Sequence, residues 1–168
     1  MKIGLISDTH GHIDDRILIH LKGCDEIWHA GDIGSPEVIE KLKTIAPVIM
    51  VSGNIDEGPN CPVEWKEIQR IQRNGLKILI IHIAAKPSRY NPKVLNIIKR
   101  ESPDMVVAGH SHILLVKYDK ENRLLFINPG AAGHHGFHKI RTLITFEIIN
   151  KKPANMQVIE LGNRGKLA

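Results

Sequence analysis

"DMVVAGHSH", residues 104–112, is an unbroken apolar run that stops at a glycine and then places two imidazoles one residue apart. The run shows no polar alternation, which is the pattern of a strand buried on both faces. Gly109 marks the turn that ends it. A turn carrying His110 and His112 either faces solvent or aims both rings at a common ligand, and the pair alone does not decide between them.

The same pattern recurs upstream. KIGLIS (2–7), EIWHAG (26–31), VIMVSG (48–53) and KILIIH (77–82) are apolar runs that end in Asp8-Thr9-His10, Gly31-Asp32, Gly53-Asn54-Ile55-Asp56 and His82. Helical patterns lie between them. DDRILIHLK (14–22) follows the first run, and SPEVIEKLKTI (35–45) follows the second, with Ser35 as N-cap and Pro36 at the first helical position. NPKVLNIIKRES (91–102) repeats that plan with Asn91 and Pro92. WKEIQRIQRNGLKILIIH (65–82) reads as a hairpin turning at Asn74-Gly75. From residue 113 onward the chain is nearly all strand: ILLVKY, LLFINPG, RTLITFEI and MQVIEL. A chain that begins βαβαβ and ends β-rich most simply forms two packed sheets with helices outside.

Bulk properties bound the function. A length of 168 residues suits one domain with a sizeable core, so a single domain over 1–168 is expected. No apolar run is long enough to span a membrane. MKIGLISDTHGH lacks a small-residue cleavage site, and Asp8 and His10 interrupt its apolar part, so it reads as the first strand of a cytoplasmic protein. Cys24 and Cys61 form no CxxC pair and read as reduced bystanders. The net charge of +5 is spread along the chain, which gives a mild attraction for small anions and no nucleic-acid arm. A homo-oligomer stays open. Ten histidines stand against three Phe, two Trp and two Tyr, so imidazole serves something other than packing.

Ligands of open α/β sheets bind beyond the carboxyl ends of the strands. If these strands are parallel neighbours, Asp8, His10, Asp32, Asn54, His82, His110 and His112 gather on one rim. That set holds two carboxylates, one amide, four imidazoles and no thiolate, which suits ions such as Mn²⁺, Fe²⁺ and Zn²⁺. Seven donors exceed the need of one ion but match two ions roughly 3.5–4 Å apart that share a carboxylate. Gly31, Gly53 and Gly109 precede Asp32, Asn54 and His110, where they allow sharp turns and close backbone approach. Each fragment alone is an ordinary turn. Their order, one at the end of each of five apolar runs, is not accounted for by turn composition.

With SDTHGH, HAGDI, SGNID, GHSH and INPGA, this order resembles the calcineurin-like metallophosphoesterases, in particular their small single-domain bacterial and archaeal phosphodiesterases, over the chain to about residue 145. The resemblance implies a four-layer α/β/β/α sandwich of two mixed sheets flanked by helices, with a dinuclear metal site. Carried over, Asp8, His10 and His112 hold one ion, Asn54, His82 and His110 hold the other, and Asp32 bridges them. Asp56 fixes a neighbouring ligand, and His10, Asp32, Asn54 and Asp56 form the catalytic group. The implied cofactor is a pair of divalent ions, Mn²⁺ first, with Fe, Zn or Ni as alternatives. The implied substrate is a small anionic phosphoester, a phosphodiester above all. Two departures stand out. Many members carry His after the Asn of the third motif, where this chain has Ile55, and the usual Gly-His after the fourth ligand is Ile83-Ala84. A small relative in eukaryotic protein-sorting complexes keeps the fold mainly as a scaffold, which defines the alternative reading.

Other histidines are open between substrate contact and polar surface. His134, His135 and His138, with Arg141, sit in NPGAAGHHGFHKIRT (128–142), and His12 follows the first motif. His20 reads as surface and His29 as strand interior or support for a ligand. Trp28 and Trp65 read as core or interface, since no aromatic alternates with a basic stripe.

Overall fold

The structure, a computed structural model, describes residues 1–57, 62 and 65–165; Cys61 lies outside them. The elements in chain order are β1 (Lys2–Ile6), α1 (Asp15–Leu21), β2 (Glu26–His29), α2 (Pro36–Lys43), β3 (Val48–Met50), β4 (Ile68–Arg73) and β5 (Leu76–Ile81). Then come β6 (Ala85–Lys86), β7 (Arg89–Tyr90), α3 (Pro92–Glu101), β8 (Met105–Val107), β9 (Leu114–Asp119), β10 (Leu124–Pro129), β11 (Ile140–Ile149) and β12 (Lys152–Asn163).

Two five-stranded mixed sheets form, in the orders β12-β11-β1-β2-β3 and β4-β5-β8-β10-β9. Within the first, β1, β2 and β3 run parallel, and within the second β5, β8 and β10 do. The apolar runs split their side chains between two layers with period two. Ile3 and Leu5 of β1, Ile78 and Ile80 of β5, and Met105 and Val107 of β8 fill one core between the sheets, with Trp28 edge-on to Phe146. Ile6 and Ile27 turn outward to meet Ile17 and Leu21 of α1 and Val38, Ile39 and Leu42 of α2. Leu79, Val106 and Phe126 turn outward on the other side to meet Val94, Ile97 and Ile98 of α3. The result is the expected α/β fold of two mixed sheets, with α1 and α2 outside one and α3 outside the other.

Local chemistry sets the element ends. Asp14 caps α1 by accepting from the Ile17 amide at 3.0 Å, and Asn91 caps α3 by accepting from Val94 at 2.9 Å. Ser35 stands at the N-cap of α2 as expected, but its hydroxyl bonds the Glu37 carboxylate and makes no capping bond to an amide. The β4–β5 hairpin turns at Asn74 and Gly75, both left-handed at φ 46° and 84°. The two-residue strands β6 and β7 were not legible in the sequence, being too short to carry a period. Among the described residues no helix is long and apolar enough to cross a membrane.

Candidate metal centre

The five strands do not lie side by side in one sheet. β1, β2 and β3 belong to the first sheet and β5 and β8 to the second, so the rim expected from one sheet is a seam between two. The turns beyond these strands are laced together within each sheet and tied across the seam. Asp8 N donates to Gly31 O at 2.9 Å, His10 N to Asp32 O at 3.0 Å, and Gly109 N to His82 O at 3.0 Å. His110 N reaches the Asp8 carboxylate at 3.1 Å, tying the second sheet to the first.

This lacing brings the expected ligands into two groups. Donor atoms of Asp8, His10, Asp32 and His112 lie within 4.8 Å of one another, as do those of Asp32, His82 and His110. Asp32 belongs to both, and its two oxygens divide between them. Oδ2 faces His10 Nε2 at 3.6 Å, while Oδ1 faces His82 Nε2 at 3.2 Å and accepts from Ile55 N at 3.2 Å. His112 Nε2 is 3.2 Å from Asp8 Oδ1. Asn54 stands beside the second group, its Oδ1 2.9 Å from His110 Nδ1.

Three features suit these residues to metal. The first is backbone conformation. Asp8, His10, Asp32, His110 and His112 all adopt left-handed φ, between 47° and 66°. For residues with a Cβ this costs roughly 1–3 kcal/mol each and clusters at functional sites. The second is tautomer. His82 Nδ1 lies 2.7 Å from Ala30 O, which can only accept, so Nδ1 carries the hydrogen and Nε2 presents a lone pair to the carboxylates. The third is orphaned polarity. The buried Nε2 atoms of His10 and His82 make no hydrogen bond, although carboxylates stand close to both. A lone pair facing a carboxylate calls for positive charge between them, supplied by a proton or a cation.

The electrostatics follow. Burial disfavours charge on His82, but the Asp32 carboxylate, Asp8 and the Ala30 carbonyl outweigh it and raise the pKa. Burial dominates at His10 and lowers its pKa despite Asp32 and Asp8. Burial would raise Asp32, yet His82, the Ile55 amide and His10 hold it below the usual carboxylate range.

Supporting residues complete the centre. Asp56 is buried, and its carboxylate accepts from the amides of Gly53 at 2.8 Å, Ile33 at 2.9 Å and Gly34 at 2.8 Å, clamping the β2 turn to the β3 turn. That is a positioning role, with both oxygens occupied by backbone. His29 is wholly buried, and burial pushes its pKa down to about 4. Neutral, it accepts from Gly31 N at 3.2 Å and meets Thr9 Oγ1 at 2.9 Å, which itself donates to Ile33 O at 3.0 Å. Asn128 Nδ2 donates to Gly109 O at 2.7 Å and to Ser111 Oγ at 3.1 Å, holding the GHSH turn. Gly53 and Gly109 serve by approach, since a Cβ at Gly53 would stand 2.1 Å from Asp32 Oδ1 and one at Gly109 2.1 Å from Ser7 Oγ.

Sequence reasoning missed Thr9 and Asp14. His12, Asp14 and His134 form a further group whose donor atoms lie within 4.8 Å. The Arg141 guanidinium already sits 3.0 Å from Asp14 Oδ2, so this carboxylate has its cation, and the group braces the loop after β10 against the loop after β1. The signal for Asp14 was available as an N-cap, but its second role depends on Arg141, far away in the chain. His20 is exposed, Trp28 is core, and Trp65 packs partly buried against the cluster beneath α1 and α2.

Comparison with known proteins gives a consistent picture. A probable metallophosphoesterase of Methanocaldococcus jannaschii is 33% identical over 137 residues, covering 78% of this chain and 68% of that protein. A phosphodiesterase of the same organism is 31% identical over 147 residues, covering 77% and 83%. Among solved structures, one described as a novel archaeal phosphodiesterase superposes with a TM-score of 0.73 at 24% identity, covering 96% of this chain and all of that one. Zinc-complexed Vps29 of Entamoeba histolytica superposes at 0.72 with 20% identity, covering 98% and 100%; both structures show the likeness of fold. The model of the calcineurin-like phosphoesterase superfamily domain matches residues 1–151, and the chain belongs to that superfamily.

Proposed function

We propose that this chain hydrolyses phosphoesters, phosphodiesters above all, at a centre of two divalent ions, with Mn²⁺ the first expectation. The observation that carries the reading is Asp32, a buried carboxylate whose two oxygens face two separate histidine groups. Bound ions would polarise a phosphoryl oxygen and bring a water's pKa toward ~7. Asp8, His10 and His112 would hold one ion, Asn54, His82 and His110 the other, and Asp32 both. The chain's own contribution is to fix these donors in advance. The Ala30 carbonyl sets the His82 tautomer, and the Asp56 clamp sets the spacing of the Asp32 and Asn54 turns. Ile55 and Phe137 place hydrocarbon at the mouth of the cavity into which His10, Asp32, His110 and His112 open. The named activity of the archaeal phosphodiesterase relative supports the choice of substrate class.

Metal counting after Mn²⁺ loading, joined to a hydrolysis screen over phosphomonoesters and diesters, tests the reading. Near two equivalents with diester turnover is expected. Less than one equivalent at saturating metal would refute the dinuclear centre. Two equivalents without turnover of any ester would favour the scaffold alternative, which the Vps29 neighbours represent in fold.

A further inference from the structure

We propose that His135 donates a hydrogen bond to the departing oxygen of the substrate, in a cavity where Ile55 has no donor to give. The inference rests on the phosphoesterase reading above. A departing alkoxide needs a proton, a hydrogen-bond donor or a metal at the oxygen that leaves. Position 55 offers only hydrocarbon, and the Ile55 side chain is 42% exposed in the wall of the cavity that holds His10, Asp32 and His112.

Four histidines outside the ligand set lie near enough to consider, and their surroundings separate them. His12 Nε2 is 3.1 Å from Asp14 Oδ2, and its ring packs edge-on against His134. His134 Nδ1 is bonded to the Arg164 carbonyl. His138 Nε2 is 3.0 Å from Gly133 O, which turns its hydrogen inward to the loop. His135 alone of the four lines the metal cavity, exposed, with its ring centroid 4.7 Å from that of His10. Its contact is with that ring, and no hydrogen bond to the described residues engages its nitrogens.

The loop that carries it is fixed from both sides. Ala132 N donates to Ser7 O and Gly133 N to Asp8 O, each at 3.0 Å. Arg141 Nε donates to Ala132 O at 2.6 Å while the same guanidinium holds Asp14. Contact is close enough to demand glycine. A Cβ on Gly133 would stand 2.3 Å from Thr9 O, and one on Gly136, at φ 116°, 2.0 Å from His112 Nδ1. Residues on either side of His135 are thus seated on the metal-binding turns. A neutral imidazole carries one N–H in either tautomer, so donation requires no charge on the ring.

The experiment uses the full chain loaded with Mn²⁺ and a series of aryl and alkyl phosphodiesters of graded leaving-group acidity. The variants are His135→Ala, His135→Gln and Ile55→His, with metal per chain and thermal midpoint measured for each. Expected for His135→Ala is a loss of about 10- to 100-fold on poorly acidic leaving groups and little on nitrophenols, with metal content unchanged. His135→Gln, which keeps an N–H, should recover part of the loss, and Ile55→His added to His135→Ala should flatten the slope again. Equal losses across the series, no loss, or loss of metal would each overturn the inference. A parent that holds two ions and hydrolyses no ester would overturn the phosphoesterase reading itself, and this inference with it, before any variant is made.

Discussion

Gly53→Ala adds one methyl group at the point where the β3 turn meets Asp32. Gly53 does not have left-handed φ, so alanine meets no dihedral objection there. The obstacle is contact. The new Cβ would stand 2.1 Å from Asp32 Oδ1 and 2.2 Å from Asp32 N, and real Cβ atoms do not approach closer than 3.0 Å. A side-chain oxygen can rotate away, but a backbone nitrogen cannot, so the two turns must part by about 1 Å. Overpacking of this kind costs ~1–3 kcal/mol. Parting the turns also strains the bonds that join them, Ile55 N to Asp32 Oδ1 and the Asp56 carboxylate to Ile33 N and Gly53 N. A total of about 3 kcal/mol is expected, which for a chain of this size lowers the thermal midpoint by roughly 6–12 °C. Because Asp32 moves, metal affinity should also fall about 10- to 100-fold. Gly23→Ala is the control: φ is 78° and nothing lies within 4 Å, so it should cost about 1 kcal/mol and leave metal binding alone. Metal-free thermal unfolding followed by calorimetric Mn²⁺ titration measures both quantities. A Gly53→Ala protein that melts within about 2 °C of the parent and binds Mn²⁺ equally well would refute the close-approach reasoning.

Asp32→Ala should take the metal content from near two equivalents to below one, whereas His112→Ala should lose one ion and keep the other; elemental analysis separates the two, and equal losses would remove Asp32 as a bridge. Asp56→Asn replaces a carboxylate that satisfies three backbone amides, so a loss of about 2–3 kcal/mol is expected in urea unfolding, and a change below ~0.5 kcal/mol would show the clamp to be dispensable. Asp14 gives the acid dependence. Burial would raise its pKa, but the Ile17 amide, His12 and Arg141 hold it down at about 2. A carboxyl lowered on folding contributes stability that is complete above its unfolded value of ~4 and is lost as pH falls toward 2. Since the group is partly solvated, about 1 kcal/mol is at stake. The stability gap between the parent and Asp14→Asn should therefore be widest above pH ~4 and narrow below it, and a gap constant from pH 7 to 2.5 would contradict this.

The strands and the order of the motifs were legible because their signal is local. After Lys2 the run of β1 is apolar without interruption, as is MVV, and both turn out to be buried between a facing sheet and a helix layer. The hairpin at Asn74-Gly75 was legible for the same reason, since left-handed turn chemistry is written in two adjacent residues. What the sequence could not show was partnership over distance. Nothing adjacent to Asp14 announces Arg141, and nothing adjacent to His29 announces Thr9. The division of the candidate ligands between two sheets was likewise invisible, because β5 is as apolar as β1 and a strand does not encode which sheet it joins. The Gly before Asp32 does turn sharply, at φ 95°, but the left-handed geometry that distinguishes the candidate centre falls on five of the seven candidate ligands themselves, at residue types that give no compositional hint of it.

That geometry sets the terms on which such a centre could be moved to another protein. A graft that copies the seven side chains onto new turns would inherit their chemistry without their aim, because five of them point where they do by virtue of left-handed backbone that an arbitrary loop relaxes away from. The transferable piece is a parallel strand with its following turn, and two facing sheets must supply five such pieces in register. Variation is correspondingly channelled: the partly exposed side chains of Ile55 and Ile83 can change without moving the backbone of the turns, whereas the turns that hold Asp8, Asp32 and His110 are bonded to one another and can change only together.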